Sequence, residues 1–572
     1  MATLTKMSDA RGCSMIRVMP PKGNLMRKMN VAFVVDVSGS MSSSVDPNGS
    51  EHTKYYSSLD IAAQGVKAAI ASIGSTGRGS KASLVSFSDV ATVQHPMTEL
   101  DFAGEGSIAA AATGMVTQGS TALFKGVMEG LGTLPAEEEG VLNAVVVITD
   151  GFPTISPPEG DVAAIRNLEH TAFMLFIGLG FDMDSNLLMD MSNATNDATF
   201  VHCGGADMLL TTMINGMASL SNTFATSAYL TINGIRHSLG RLEYGLDRDV
   251  LVDNLTDDVF LEYRNVGGTT VKVSLSANIV DGVAVQSERL RIIGVDILKK
   301  VLRTARIDAP TTLKDIGENV EKMLVSSVSN AFVADLLGEV VGAVKNWDRW
   351  GQHYIRSLLT AHERAYCPNF KDKAPNEMYR TKNFDAFVTL ANGVCASLSP
   401  PKMSLLYGRP TVVTTSQNFT QDFYNSEGGC FSPHAFIRLA DGRSKHAENI
   451  VKGDVLVGGT VVCVVMTKDC TTVSFTTPLG TRKNLTPWHP YVSDGVWSFP
   501  ANTAFGEMVE HPVVYNFVLE GGNTCIVDGL VACTLGHGIE GPVIGHELYG
   551  TQKIVDALKK INGWDAGRVW YI

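Results

Sequence analysis

Two stretches in the first third of the chain share one pattern, an apolar run that ends abruptly in small polar residues. The run Val31–Val35 ends at Asp36–Ser40, and the run Val145–Ile148 ends at Thr149–Gly151. Short apolar runs rich in β-branched residues are typical of strands buried on both faces of a parallel sheet. Because ligands bind at the carboxyl ends of strands in open α/β sheets, the polar residues after both runs predict a site there.

Oxygen-bearing side chains supply the chemistry of this predicted site. Asp36, Ser38 and Ser40 stand at alternate positions of one loop and offer a carboxylate and two hydroxyls. Thr121 precedes a helical stretch and adds a hydroxyl, and Asp150 adds a second carboxylate. Hard cations such as Mg²⁺ prefer oxygen ligands and usually keep some waters, so this set suits them.

These three stretches, in this order, resemble the von Willebrand factor A family, over residues 29–225. Its metal-ion-dependent adhesion site uses a DxSxS loop, a threonine and a later aspartate, which fall on Asp36, Ser38, Ser40, Thr121 and Asp150. The resemblance implies a doubly wound α/β domain that holds Mg²⁺ or Mn²⁺. It also implies a protein ligand, whose acidic side chain would fill a coordination position that the domain leaves open.

The regions on either side of this domain have other patterns. Residues 1–28 form a polar lead, in which Met15–Met19 predicts an edge strand. Short alternating runs separated by Gly, Asn and Asp predict a small antiparallel β-sandwich at residues 226–286. Residues 407–428 are rich in Thr, Ser, Gln and Asn without periodicity, which predicts a linker.

Helical periodicity dominates residues 287–406 and predicts a bundle of amphipathic helices. The apolar residues that share the predicted helix faces are Ile293, Ile297, Val301, Ile316, Val320, Leu324, Val328, Phe332, Leu336, Val340, Val344, Tyr354 and Leu358. Trp347 and Trp350 stand beside Tyr354. Aromatic residues at helical spacing usually belong to a core, so we expect these to pack inside the bundle rather than to form a binding face.

The region 429–572 has short apolar runs and turn signals at high density, which predict an all-β domain. It begins with Cys430, which two glycines precede. Such a cysteine has an uncrowded peptide carbonyl within reach of its own sulfur. Attack would convert the Gly429–Cys430 amide into a thioester, with proximity replacing a bimolecular encounter.

Motifs in this region resemble the Hint superfamily, which contains inteins and the autoprocessing half of Hedgehog proteins. The family starts with a nucleophilic cysteine, here Cys430, and has a TxxH motif, here Thr486–His489. His489 is the candidate for protonating the departing amide nitrogen, and Thr486 for orienting or polarising the peptide. Cys533 resembles the late cysteine of Hedgehog-type domains, which implies that it accepts the thioester or pairs with Cys430.

The order of the two resemblances is similar to that of von Willebrand A–Hint (Vint) proteins. Splicing inteins end in His-Asn, whereas Val531–His537 contains no asparagine, which favours cleavage or acyl transfer over splicing. We therefore expect self-cleavage at Gly429–Cys430 and no turnover of external substrates. Two alternatives stay open: a non-enzymatic scaffold with an inactive Hint fold, and a metal hydrolase at Asp36 and Asp150. The hydrolase is the weaker because no histidine or other base lies nearby in sequence.

Composition limits the remaining function classes. A chain of 572 residues predicts three or four domains. The net charge of −12, without a basic block, argues against nucleic-acid binding. We see neither an apolar run long enough for a membrane span nor a secretory signal. The nine cysteines are scattered and odd in number, which favours a reducing, cytoplasmic compartment over a disulfide framework.

Overall fold

The computed structural model contains two compact units. The first comprises Met1–Cys395 and Pro401–Pro410, and the second comprises Ala396–Pro400 and Thr411–Ile572. Residues 1–395, 398, 401, 404–405 and 429–570 are described, apart from gaps at 10–12, 24–25, 45–55, 77–78, 253–254, 256–257, 308–330, 369–377, 477–481, 487–488, 494, 501–506, 540–543 and 545–548. The predicted linker and the predicted helix face from Ile316 to Val328 lie outside the described residues.

The first unit combines strands and helices along its whole length. Its described strands are β1 (Thr3–Ser8), β2 (Ser14–Met19), β3 (Lys28–Asp36), β4 (Lys81–Phe87), β5 (Ala91–Glu99), β6 (Val141–Thr149), β7 (Phe173–Leu179), β8 (Ala198–Cys203), β9 (Thr223–Ile232), β10 (Ile235–Glu243), β11 (Arg248–Val252), β12 (Val259–Asn265), β13 (Thr270–Ser274) and β14 (Ala277–Val280). Its described helices are α1 (Ser58–Thr76), α2 (Phe102–Gly114), α3 (Leu123–Thr133), α4 (Asp161–Asn167), α5 (Ser185–Asn193), α6 (Ala206–Ser221), α7 (Gly282–Ile307), α8 (Ala331–Lys345), α9 (Gln352–Arg364) and α10 (Lys382–Cys395).

A six-stranded sheet in the order β5-β4-β3-β6-β7-β8 forms the centre of the first unit. All neighbours are parallel except β4 and β5. Residues Met29–Asp36 of β3 and all of β6 are buried, because helices cover both faces of the sheet. The strand order reverses at β3, which pairs with β4 on one side and β6 on the other. This confirms the predicted doubly wound fold and places the loops after β3 and β6 side by side.

Helices pack closely on this sheet. Alternate residues of β3, such as Ala32 and Val34, join one core cluster with α3, α4 and α5. Gly130 of α3 lets that helix approach the sheet, since a Cβ there would lie 2.4 Å from Val34 Cγ2. Helices α1 and α6 pack together, and α10 contacts both of them.

The predicted β-sandwich contains two four-stranded sheets, β11-β2-β1-β14 and β10-β9-β12-β13, around a shared core. The prediction of an edge strand at Met15–Met19 is wrong, because β2 lies between β1 and β11. The sandwich is also not purely antiparallel, since β1 and β14 run parallel. The amino-terminal lead is part of this core, because its residues Leu4, Ile16 and Val18 are buried there.

Helices α7, α8 and α9 share a core, in agreement with the predicted bundle. Leu336, Val340 and Leu358 are buried in it, whereas Ile293 is 43% exposed and lies off the predicted face. Trp347 and Trp350 pack against the same core, as expected.

The second unit is rich in β-structure. Its described elements are β15 (Phe436–Arg438), β16 (Ser444–His446), β17 (Val455–Leu456), β18 (Gly459–Thr476), β19 (Arg482–Leu485), β20 (Tyr491–Ser493), β21 (Val496–Ser498), β22 (Glu507–Glu520), β23 (Thr524–Val527), β24 (Leu530–Cys533), α11 (Gln552–Leu558) and β25 (Arg568–Trp570). One sheet has the order β16-β15-β23-β24-β20-β21, and in the other β18 pairs with β17, β19, β22 and β25. These sheets confirm the predicted β-rich domain.

Strand β18 is longer than its sequence pattern indicates. The runs beginning at Gly459 and Thr472 predict two strands, but the structure joins them into one of 18 residues. The long partner β22 pairs along nearly all of it, which holds the intervening polar residues in extended conformation. Among the described helices of the whole chain, none has the length and apolar character needed to cross a bilayer.

Candidate functional site

The loop after β3 concentrates hydroxyls around one buried carboxylate. Asp36 is fully buried, and its Oδ1 accepts a hydrogen bond of 2.8 Å from the backbone N–H of Ser38. A short 3₁₀ turn follows at Gly39–Ser42. This turn places the hydroxyl oxygens of Ser38 and Ser40 3.1 Å apart.

Thr121 and Asp150 reach the same place from two other loops. Ser40 donates its hydroxyl proton to Asp150 Oδ1 over 2.7 Å. A Cβ built on Gly151 would lie 3.2 Å from Ser40 Oγ, 3.5 Å from Thr121 Oγ1 and 3.8 Å from Asp36 Oδ2. The structure therefore brings the five residues predicted from the sequence into one cluster, which we call the oxygen cluster.

The electrostatics of the oxygen cluster favour a bound cation. Burial raises the pKa of Asp36, and burial together with the charge of Asp36 raises the pKa of Asp150 to about 6. Hydrogen bonds from Ser40 and Ser58 oppose this rise at Asp150. Two buried carboxylates disfavour each other's ionisation, and a divalent cation between them would reverse that effect. The donor set, entirely of oxygen, fits Mg²⁺ or Mn²⁺.

Two residues that support this cluster were not predicted as part of it. Thr149 donates its hydroxyl proton to Asp36 Oδ2 over 2.5 Å, and thus leaves Oδ1 and Oδ2 both hydrogen-bonded. Asp89 accepts a bond of 2.8 Å from the backbone N–H of Ser120, next to Thr121. The only signal in the sequence is that each polar residue closely follows or ends a buried strand.

The second cluster surrounds Gly429 and Cys430, at the beginning of the β-rich domain of the second unit. The backbone at Phe431 exchanges two hydrogen bonds with Tyr515 of β22, of 2.7 and 3.0 Å. Thr486 holds the preceding residue, because its N–H donates to the Cys430 carbonyl over 3.0 Å. The hydroxyl of Thr486 also accepts a bond of 2.8 Å from the Cys430 N–H. Thr486 thus contacts the nitrogen of the predicted cleavage site directly.

Asn516 contacts the other side of the same peptide bond. Its side-chain Nδ2 donates to the carbonyl oxygen of Gly429, and its Oδ1 accepts from the Phe517 N–H over 2.7 Å. The side chain is 2% exposed, so this amide is fixed inside the protein. Sequence reasoning missed Asn516. Its signal is a polar residue within the otherwise apolar run Val513–Val518.

His489 packs its ring against Gly429. Its Nε2 lies 2.9 Å from the carbonyl oxygen of Cys533, which accepts only from a protonated nitrogen. The neutral ring therefore carries its proton on Nε2, and the buried Nδ1, to which no described residue donates or accepts a hydrogen bond, keeps a lone pair. Burial lowers the pKa of His489 to about 4, although the hydrogen bond to the Cys533 carbonyl opposes the shift.

Gly429 needs to be a glycine in this arrangement. A Cβ at this position would lie 2.9 Å from Cγ and 3.0 Å from Nδ1 of His489. Such distances are shorter than ordinary carbon contacts, so any side chain would push the imidazole away. The glycine therefore lets the imidazole Nδ1 lie against the peptide.

Cys533 contributes its backbone carbonyl to the site, as the hydrogen-bond partner of His489. The side chain is 6% exposed, and burial raises the pKa of its thiol to about 12. Cys533 and Cys430 do not form a disulfide with each other. The structure places the residues predicted at the catalytic site, Cys430, Thr486 and His489, around one peptide bond, with the carbonyl of Cys533 behind the histidine.

Comparisons with known families divide the chain in the same way. The family model for the von Willebrand factor type A domain matches residues 31–152. The model described as "VWA / Hh protein intein-like" (Vwaint) matches residues 326–392, and the Hint-domain model (Vint) matches residues 429–571. A search of curated proteins finds no match.

Solved structures similar to this chain include von Willebrand factor type A proteins. One, from Catenulispora acidiphila, is 13% identical with a TM-score of 0.43, and the alignment covers 61% of this chain and 92% of that one. The ArnB paralog VWA2 from Sulfolobus acidocaldarius is 15% identical with a TM-score of 0.39, over 61% and 93% of the two chains. The family matches thus identify, in this order along the chain, a von Willebrand factor type A domain, a Vwaint region and a Hint domain.

Proposed function

We propose that the Hint domain cleaves its own chain at Gly429–Cys430 through a thioester, and that the A domain binds a protein ligand through a divalent cation. The observation that carries the first half is the set of polar groups on a single peptide bond. Thr486 lies on its nitrogen, Asn516 on its carbonyl oxygen, and His489 on its flank.

The first step is an acyl shift from nitrogen to sulfur. The Cys430 sulfur attacks the carbonyl carbon of Gly429, and its thiol proton passes to the free Nδ1 of His489. Negative charge develops on the Gly429 oxygen, where the Asn516 amide already donates. The tautomer of His489 therefore makes it a base first.

The second step breaks the carbon–nitrogen bond. His489 returns the proton from Nδ1 to the departing nitrogen of Cys430, while Thr486 keeps this nitrogen in place. The Gly429 acyl group is then attached to the Cys430 sulfur, and Cys430 has a free amine. Because the pKa of His489 is about 4, its protonated form is short-lived and gives up the proton readily.

Water or an added thiol then attacks the thioester. Water yields a Gly429 carboxylate and restores the Cys430 thiol, so the chain separates into two pieces. Cys533 would not serve as the acceptor in this scheme, because a thiol with a pKa of about 12 is not ionised at neutral pH. Its backbone carbonyl sets the tautomer of His489 instead.

Full-length protein on a reducing, denaturing gel tests the cleavage. Wild type should separate into two pieces, faster with dithiothreitol, because thiols attack thioesters far faster than amides. Cys430→Ala should stay intact, and His489→Ala should be slowed at least about 100-fold, as expected for loss of a general acid–base. Asn562→Ala, an exposed position of the same domain, should cleave like wild type. A wild-type chain that stays intact under these conditions would support the non-enzymatic scaffold.

The oxygen cluster supports the second half. Asp36, Ser38, Ser40, Thr121 and Asp150 would hold the cation, directly or through water. Bound Mg²⁺ or Mn²⁺ would neutralise the two carboxylates and leave a position for an acidic side chain of the protein ligand.

A further inference from the structure

Two histidines and a glutamate meet on the first hairpin of the Hint domain, apart from the cleavage site. His434 precedes β15, His446 ends β16, and Glu448 belongs to the 3₁₀ turn that follows. One ligand atom of each lies within 4.8 Å of those of the other two. Within the described part of the chain, no other group of three His, Cys, Asp or Glu residues meets this condition.

The backbone holds these three positions in place before any ligand binds. His446 pairs with Phe436 across the β15–β16 hairpin. The Ala447 N–H donates to the Ala435 carbonyl over 2.9 Å, and the Glu448 N–H donates to the Pro433 carbonyl over 3.1 Å. Both residues that flank His434 are therefore hydrogen-bonded to the segment that carries the other two side chains. Such preorganisation is what a built metal site requires.

One of the three side chains has an unused ligand atom, and the other two have a suitable spacing. Nδ1 of His446 is buried with no hydrogen-bond partner among the described residues, while its ring packs 4.5 Å from that of Phe436 between centroids. Nδ1 of His434 and Oε1 of Glu448 are 3.4 Å apart. Two ligands of a tetrahedral Zn²⁺ with bonds of about 2.0–2.1 Å are also separated by about 3.3–3.4 Å. His434, with a side chain 72% exposed, is free to adjust to the third ligand.

We propose that His434, His446 and Glu448 bind one Zn²⁺, with water in the fourth position. Two imidazole nitrogens and one carboxylate are a ligand set typical of zinc, whereas the oxygen cluster of the A domain suits a hard cation. The site lies four residues after Cys430, so the bound ion would brace the segment that follows the cleavage junction. The proposal does not depend on whether the junction is cut.

Calorimetric titration of the metal-stripped full-length chain with Zn²⁺ tests the site. All samples carry Cys430→Ala and Asp36→Asn, which remove the junction thiol and a carboxylate of the other cluster. This background should bind one Zn²⁺. His446→Ala should abolish that binding, and Glu448→Gln, which keeps the shape of the side chain, should weaken it at least about tenfold. His95→Ala, an unrelated histidine in the first unit, should leave it unchanged.

Co²⁺ provides a second readout that folding defects do not imitate. The background protein should give the visible absorption of tetrahedral Co²⁺, and Zn²⁺ should displace it. The spectrum should be lost in His434→Ala even when circular dichroism shows a folded chain. Unchanged stoichiometry and affinity for Zn²⁺ in the double variant His434→Ala/His446→Ala would overturn the proposal. So would an absence of Zn²⁺ binding in the background protein.

Discussion

At the scale of single residues, the proposed cleavage site is made of polar side chains inserted into an apolar interior. Asn516 and Thr486 are 2% and 1% exposed, and each makes a hydrogen bond to the backbone of Gly429–Cys430. A buried polar group without a partner is costly, so these side chains and the peptide fix each other. The result is an amide bond whose two polar atoms are both held by side chains.

Asn516 should be essential for fast cleavage. In Asn516→Ala the developing oxyanion at Gly429 loses its side-chain donor, and loss of one such donor slows related reactions about 10²–10³-fold. The rate is measured on a gel from full-length protein with dithiothreitol. Asn562→Ala serves as the control, and equal rates for Asn516→Ala and wild type would refute the role of this amide.

Some residues of this site could be predicted from the sequence, and others could not. Cys430, Thr486 and His489 belong to recognisable motifs, so they could be predicted. Asn516 could not, because its role depends on the register that places Tyr515 opposite Phe431. The role of Thr149 could not be predicted for a similar reason, since its contact with Asp36 links two strands that are distant in sequence. Motifs predict the reacting groups, whereas the supporting groups depend on pairing.

At the scale of elements, helix α9 covers an edge of the central sheet. Strand β8 is its last strand, and the N–H of His202 in β8 donates to the Ser357 hydroxyl of α9 over 3.1 Å. Nε2 of His353 in α9 donates to the Phe181 carbonyl over 2.9 Å, so its Nδ1 accepts from the Ser185 hydroxyl over 2.7 Å. The ring centroid of His353 lies 5.3 Å from that of His202. A helix across an edge strand satisfies polar groups that would otherwise be open to another chain.

The two histidines at this contact should make the first unit sensitive to acid. Burial, and then the charge of His353, lowers the pKa of His202 to about 3, and burial lowers that of His353 to about 4. Both residues are therefore neutral when folded but take up protons when unfolded below pH 6.5. Stability is fully present above that pH and falls as the pH drops, by about 2 kcal/mol for His202 between pH 7.5 and pH 5.

His202→Gln isolates this contribution, because the amide of glutamine can still donate toward the Gly180 carbonyl, which His202 Nε2 approaches to 2.9 Å. Urea unfolding at pH 7.5 and pH 5 should show a loss of stability about 2 kcal/mol smaller in the variant than in wild type. His95→Gln should lose as much as wild type. Parallel losses in His202→Gln and wild type would contradict the assignment.

Elements with strong local patterns could be predicted, and elements that depend on distant partners could not. Strands β3 and β6 have uniform apolar runs, and the predicted positions agree with the structure. Strand β2 was misplaced to an edge, because its neighbour β11 lies more than 200 residues away in sequence. The join within β18 was missed because polar residues interrupt its pattern, and only pairing with β22 keeps it extended.

At the scale of the whole molecule, the chain contains the oxygen cluster and the cluster around Gly429–Cys430. Each cluster lies within one of the two compact units. The two proposed chemistries therefore belong to different units of one polypeptide. Variants in one unit can be used as controls for the other.

Metal binding in the first unit should appear as ligand-induced stabilisation. With Mg²⁺ or Mn²⁺ at about 100 times its dissociation constant, the first unit should gain about 2.7 kcal/mol. Asp36→Asn, which keeps the side-chain shape but removes the charge, should lose this gain, whereas the exposed Asp348→Ala should keep it. Thermal unfolding with and without the metal measures both, and an equal shift in Asp36→Asn and wild type would place the metal elsewhere.

The central claim is tested most directly by the intact mass of full-length protein after incubation with hydroxylamine. Hydroxylamine attacks a thioester and would trap the acyl group of Gly429 as a hydroxamate. The prediction is two fragments, one ending in Gly429 hydroxamate and the other beginning with the free amine of Cys430, and an intact chain for Cys430→Ala. Wild-type protein that keeps its full mass for days at several pH values, or that is cut at another bond, would contradict it.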